Sequence, residues 1–250
     1  MNKYILFSFI LFTLYNCQEN THLNKIEGKQ INISDSIPPD QSIEQFIRPY
    51  RININKNLDN VLAYAVDTYS KSNGKLNTAI GNMMADAVYS RVNPIFKMRT
   101  NEEIDFVLLN YGGIRSIISK GDVTTRTAFE VMPFENSVVV VKMNGSNIKE
   151  LIDYLIKAKR AHPISQLKIV LNGEGKAQDI TIKGNPIDYS KTYFVATNNY
   201  LYNGGDRMDF FQPNDSLYVM DYKIRNVLID YFTEIDTLNP EIDDRFFQMQ

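Results

Sequence analysis

The chain has 250 residues, 44% of them hydrophobic, enough for one large domain with a substantial core. A formal net charge of -2 and the lack of any Lys/Arg run exclude a generally basic nucleic-acid surface. With two histidines, His22 and His162, and one cysteine, Cys17, neither a disulfide framework nor a Cys/His zinc site can be built.

In chain order, residues 1–16 read as an export signal, in which Lys3 precedes an apolar run too short to span a membrane. Cys17 follows directly and resembles the acylated cysteine of a bacterial lipoprotein, although Asn16 departs from the usual small residue there. An ordinary signal peptide with a chance cysteine is the alternative. Lipidation of Cys17 implies an exported protein held on a membrane without a span. Residues 17–41 are polar and carry Pro38-Pro39, a tether that is flexible and then locally stiffened.

The globular domain is expected over residues 42–250. Ile43, Phe46 and Ile47 recur at helical spacing and predict a helix over 43–58, with Pro49 early in it. Residues 61–69 alternate loosely, as a strand does. Ile80, Met83, Met84, Ala87, Val88 and Val92 mark an amphipathic helix capped by Asn77 or Thr78. Residues 104–109 read as a buried strand, 121–124 as a turn, 127–132 as a short helix ended by Pro133, and 137–141 as another buried strand. Ile148, Leu151, Ile152, Leu155 and Ile156 predict a further helix. Lys157, Lys159 and Arg160 suit its C-terminal dipole and are expected to be a solvated end rather than a phosphate site, with His162 exposed and without a role. Strands follow at 167–171, 180–182 and 193–197, and a last helix at 224–235. This mixture without strict alternation predicts an α/β fold of the α+β type: one domain, a mixed β-sheet and packed amphipathic helices.

Two strands end alike. The first runs into Asn110-Tyr111-Gly112-Gly113-Ile114-Arg115, the second into Asn199-Tyr200-Leu201-Tyr202-Asn203-Gly204-Gly205-Asp206. Gly112 and Gly113 are free to take positive φ and to let a ligand approach the backbone. Asn110 offers an amide, Arg115 a planar charged fork and Asp206 an acceptor. On composition alone the first stretch is equally a tight turn with a surface arginine. Between the two lies Val131-Met132-Pro133-Phe134-Glu135-Asn136, which presents an aromatic side chain next to a turn.

In this order and spacing the three stretches resemble the C-terminal, nucleotide-specificity domain of the 5'-nucleotidase family, which includes periplasmic UDP-sugar hydrolase and ecto-5'-nucleotidase. The resemblance covers about residues 45 to 248. It implies that Phe134 and Tyr200 clamp a base from both faces, that Asn110 meets the base edge or its surroundings, that Arg115 contacts the ribose–phosphate side, and that Asp206 accepts ribose hydroxyls. Gly204 and Gly205 would let the loop close over the ligand, and Asn82 and Asn203 are contacts or turn-stabilising residues. Gly81-Asn82, with Asp86 one turn on, resembles a further family segment. The family's arginine a few residues upstream is missing, and Lys75-Leu76-Asn77-Thr78 stands there instead.

In the complete enzymes of that family a separate N-terminal metallophosphoesterase domain holds two metals, which activate water and clamp the oxygens of the displacement. This sequence has none of that domain's metal-binding segments, so no catalytic residue, metal ligand or cofactor is expected in this chain. Divalent metals would belong to a separately encoded metallophosphoesterase partner. The ligand implied is a nucleoside monophosphate, a nucleoside or a nucleotide-sugar, and no nucleic acid. The rival reading is a surface nucleotide- or nucleoside-binding lipoprotein without an enzymatic role. A hydrolase using Glu135 and Asp206 is a third, with no histidine or second basic group placed to assist.

Overall fold

A computed structural model of the chain describes residues 23–212 and 216–249. The chain divides into two compact units, Met1–Arg48 and Pro49–Gln250. In the first, residues 23–40 are exposed and form no regular element, and Asp40 Oδ1 accepts the N–H groups of Ser42 and Ile43. That Asx cap opens helix α1 (Gln41–Leu58), none of whose residues is buried.

Among its described residues, the second unit holds three sheets and five further α-helices. Strand β1 (Val61–Ala65) pairs antiparallel with β3 (Gly121–Thr124) and parallel with β11 (Thr237–Leu238). Residues 61–69 therefore make a shorter strand than their alternation implies, and only Tyr69 continues the pairing, in a bridge to Ile118. Residues 121–124, read as a turn, are an edge strand because β1 supplies their partners. Helix α2 (Ala79–Thr100) is capped by Thr78, not Asn77, and continues past Pro94 to the left-handed Asn101. Helix α3 (Thr125–Val131) opens with a capping box in which Thr124 and Thr127 bond each other's backbone N–H.

The central sheet has the order β10-β4-β9-β2-β5, from Ser216–Lys223, Ser137–Asn144, Thr192–Asn198, Phe106–Leu108 and Ile164–Ser165. A third sheet, β12-β6-β7-β8, joins Phe246–Gln248, Leu167–Leu171, Ala177–Ile182 and Asn185–Pro186. Helix α4 (Gly145–Ala158) follows β4, the single turn α5 (Asn199–Tyr202) follows β9, and α6 (Ile224–Glu234) follows β10.

The central sheet is covered on both faces, which is why β4 reads as an unbroken run of valines. Val138 and Val140 join the core under α2 and α6, with Met84, Val88, Phe96, Val227 and Phe232. Val139, Val141 and Met143 join the opposite core under α4, with Ile148, Leu151 and Leu155. The same alternation sends Val107 and Leu109 one way and Phe106 and Leu108 the other.

Phe96 is fully buried and packs against Phe194 at 5.3 Å and edge-on against Tyr218 at 5.2 Å. Phe96→Ala is expected to lower the unfolding free energy by about 3–5 kcal/mol, read from the denaturant midpoint at unchanged m-value.

Candidate functional site

The three turn stretches meet at one end of the central sheet. Strands β2 and β9 run parallel, so Asn110, just past β2, and Asn198, the last residue of β9, lie at neighbouring C-terminal ends. Strand β4 runs antiparallel to β9, so residues 134–136, just before it, arrive at the same edge. Side chains hold the edge together: Asn198 Nδ2 donates to Asn110 Oδ1 at 3.2 Å, and Ser137 N–H donates to Asn199 Oδ1 at 3.1 Å. Asn198 also caps α5 by accepting from Leu201 N–H at 2.8 Å.

The first turn is a 3-10 helix over Tyr111–Gly113. Neither Gly112 nor Gly113 uses the positive φ that was open to it, because the 3-10 turn needs only ordinary φ values. Gly113 is closely packed instead: a Cβ there would lie 3.1 Å from Asn110 Oδ1 and 3.2 Å from Met132 Cε, so those side chains would have to shift to admit it. At Gly112 a Cβ would meet only Asn110 Nδ2, at 3.5 Å, so the space before it is free of protein.

The second turn is strained. Gly204 (φ 86°), Asp206 (φ 54°) and Arg207 (φ 60°) all lie in the left-handed region. For the two non-glycine residues this costs on the order of 1 kcal/mol each. Gly205 carries the Tyr200 ring, and a Cβ there would fall 2.5 Å from it. Tyr200 OH donates to Asp206 Oδ1 at 2.9 Å, which raises the phenol's pKa. The ring is thus set in place from two sides while 44% of the residue remains exposed. Phe134 is 40% exposed, with the Arg115 guanidinium 5.7 Å from its ring centre. Two aromatic residues of an apolar-rich chain are therefore held at the surface, not in its core.

The charge beside Arg115 comes from Lys71, while Lys75 is exposed. Lys71 Nζ donates to Ile114 O at 2.6 Å and lies 4.7 Å from the Tyr111 ring centre. Burial and the Arg115 charge lower its pKa.

Tyr111, Gly112, Asp206 and Arg207 line an open cleft of about 310 Å³, together with Tyr154, Arg160 and His162. His162 is buried, contrary to the exposed position expected from its polar neighbours, and its Nδ1 accepts Tyr111 N–H at 3.2 Å. That bond requires Nδ1 to be unprotonated. Burial pushes the imidazole pKa down to about 4, with the Leu109 backbone bond and Asp206 offsetting part of the effect. Arg160, expected to be only a solvated helix end, is 5.9 Å from the Tyr111 ring centre on the cleft wall.

Two candidates lie apart from this cleft. Asn82 Nδ2 is committed to Asn77 Oδ1 at 3.1 Å and Glu241 O at 3.0 Å, which ties α2 to the C-terminal segment. Nearby, Arg245 grips Asp86 with both terminal nitrogens, at 3.0 and 2.9 Å. Asn203 ends α5 and stands exposed beside Gly204. Glu135 is held by Lys223 and by the buried Arg225, whose guanidinium stacks 4.1 Å from the Phe129 ring centre. Those two cations lower the Glu135 pKa to about 2, so it carries no proton to donate near neutral pH. Among the described residues, no group of three or more His, Cys, Asp or Glu side chains is placed to hold a metal ion.

The family profile described as 5'-nucleotidase, C-terminal domain, matches residues 57–213. The chain belongs to that family. It is 42% identical over 108 residues to Protein UshA of Salmonella pullorum, covering 41% of this chain and 19% of that protein. It is 23% identical over 239 residues to the apyrase of Tabanus yao, covering 85% of this chain and 42% of the other. The 5'-nucleotidase precursor of Thermus thermophilus shares the fold, with a TM-score of 0.69 at 21% identity, covering 85% of this chain and 44% of that one. The chain thus spans less than half the length of these relatives.

Within this 5'-nucleotidase C-terminal domain, sequence reasoning passed over Lys71, Asn198 and His162. Only the pair Asn198-Asn199 at a strand end was a usable signal, since an Asn there is a ready helix cap. The signal at 1–16 and the Cys17 anchor lie outside the described residues. No helix among the described residues is long and apolar enough to cross a membrane.

Asn198→Ala removes the α5 cap and leaves the buried Asn110 Oδ1 without its donor, for an expected loss of about 1–3 kcal/mol by chemical denaturation. Glu135 has a depressed folded pKa, so its contribution to stability is present above the unfolded value of 4.5 and is lost as pH falls through about 2. The stability gap between wild type and Glu135→Gln, followed by urea denaturation, should accordingly be widest above pH 5 and close toward pH 2.

Proposed function

We propose that this domain recognises nucleosides or nucleotides and that a separately encoded metallophosphoesterase chain supplies the hydrolytic chemistry. The observation that carries the reading is the gathering of Phe134, Asn110, Arg115, Tyr200 and Asp206 at one sheet edge, with both aromatics exposed.

Each group has a part suited to its chemistry. Phe134 and Tyr200 take the faces of the base, a contact that tolerates different bases. Asn110, with Oδ1 occupied by Asn198, meets the base edge or the groups around it. Arg115, helped by Lys71, takes the ribose–phosphate side, and the Asp206 oxygen not held by Tyr200 accepts a ribose hydroxyl. Gly112 leaves room for the ligand, and the Gly204–Gly205 turn lets Tyr200 lie close to its own loop.

Hydrolysis needs a centre that activates water and neutralises the developing phosphate charge. Glu135, locked to Lys223 and Arg225, is no general acid, and the sequence lacks the metal-binding segments of the complete enzymes. Divalent metals belong to the partner chain. Export and acylation at Cys17 would place this recognition domain on a membrane outside the cytoplasm, where nucleotide catabolism begins with dephosphorylation.

Calorimetric titration with adenosine, AMP and UDP-glucose tests the recognition half. Phe134→Ala and Tyr200→Ala should each weaken binding by about 1–3 kcal/mol. Unchanged affinity in both variants would remove the aromatic clamp. The purified chain with Mn²⁺, Zn²⁺ or Co²⁺ should release no phosphate from nucleoside monophosphates, and metal-dependent turnover by the chain alone would refute the division of labour.

A further inference from the structure

The cleft beside Asp206 carries more positive charge than nucleoside recognition requires. Arg160 and Arg207 both line it, and neither has an ion-pair partner among the described residues. The one acidic side chain on its wall is Asp206, which already accepts Tyr200 OH on Oδ1. Tyr154 OH donates to the Asp206 backbone carbonyl at 3.0 Å and so fastens the strained loop to α4. Asp206 and Arg207 are consecutive non-glycine residues at φ 54° and 60°, and both line the cleft. The Tyr111 ring, which also lines the cleft, is approached by Arg160 and by Lys71. Strained residues that persist at a concave, charged surface point to a ligand.

We propose that this cleft is a phosphate subsite, and that it takes a phosphate carried on the 2' or 3' edge of the ribose. The assignment rests on the nucleoside reading above, in which Asp206 accepts a ribose hydroxyl. A ribose held there turns its vicinal hydroxyl edge toward the cleft. A phosphate on one of those hydroxyls then lies between two guanidinium forks, each suited to two parallel hydrogen bonds, while the other hydroxyl keeps its bond to Asp206. The cleft volume of about 310 Å³ leaves ample room for a phosphate group and its water. The 5'-phosphate belongs to the Arg115 side. This chain therefore distinguishes nucleotides by the position of their phosphate, through two arginines on separate segments.

The test is calorimetric titration of the full chain with adenosine, 2'-AMP, 3'-AMP, 5'-AMP and inorganic phosphate. Wild type is compared with the double variant Arg160→Gln/Arg207→Gln, and with Lys157→Gln as a control for loss of charge on the same helix end outside the cleft. The quantity read is the affinity ratio of each nucleotide to adenosine within one variant. The ratio for 2'-AMP or 3'-AMP should be about tenfold or more in wild type and in Lys157→Gln, and fall to near one in the double variant. A gain that survives the double substitution overturns the subsite. So does a gain through these arginines that is as large for 5'-AMP. If adenosine does not bind but inorganic phosphate binds in an arginine-dependent way, the nucleoside reading fails, and the assignment to a ribose phosphate is overturned with it, leaving a plain anion site. If no phosphate compound responds to the double substitution, the subsite fails whatever adenosine does.

Discussion

Strand β9 lies between β4 and β2, antiparallel to one and parallel to the other, and the geometry of the site follows from that pairing. A parallel neighbour brings two C-terminal ends together, and an antiparallel neighbour adds an N-terminal end at the same edge. The Asn198–Asn110 hydrogen bond closes this edge with two buried amides. A one-residue slip of β9 would carry Asn198 to the other face of the sheet and exchange the residues of the two cores. Because both faces are packed, such a slip would expose or crowd apolar side chains on each side. The double burial of the sheet therefore holds the binding edge in register.

The site is rigid where it must aim and open where a ligand must enter. Tyr200 is braced by Gly205 behind its ring and by Asp206 at its hydroxyl, and Asp206 is fastened by Tyr154. Such support lowers the ordering cost of binding, since the aromatic face is already in place. The left-handed backbone of residues 204–207 is the counterpart of this rigidity, a local strain supported by packing around it.

Electrostatics divides the surrounding charges by role. Glu135 is shared by Lys223 and Arg225, and Arg245 is held by Asp86 and Asp243. Except for Arg245–Asp243, these pairs join distant segments of the chain. Lys71, Arg115, Arg160 and Arg207 form no such pair among the described residues and stand around the two turns. The free positive charge of this part of the surface is therefore concentrated where an anionic ligand would enter, a bias that also favours its encounter.

The amphipathic stripes of α2, α4 and α6, the valine run of β4 and the two Asn-and-glycine strand ends were legible in the sequence, because each rests on local periodicity or on turn chemistry within a few residues. The family resemblance drew on those same stretches, and it extended to the mixed α/β fold. What the sequence left open depends on contacts between remote segments. Residues 121–124 became a strand only because β1 lies beside them, and His162 became a buried acceptor only because Tyr111 folds back onto it from 51 positions away. Gly112 and Gly113 were legible as a turn, but neither takes a positive φ, and only Gly113 is closely packed, in part by the remote Met132. Arg160 could be assigned to a helix end from its neighbours, whereas its place on the cleft wall is decided by the loop carrying Asp206 and Arg207. Local pattern specifies which elements form; long-range pairing selects which side chains share a surface, and at that surface the function is decided.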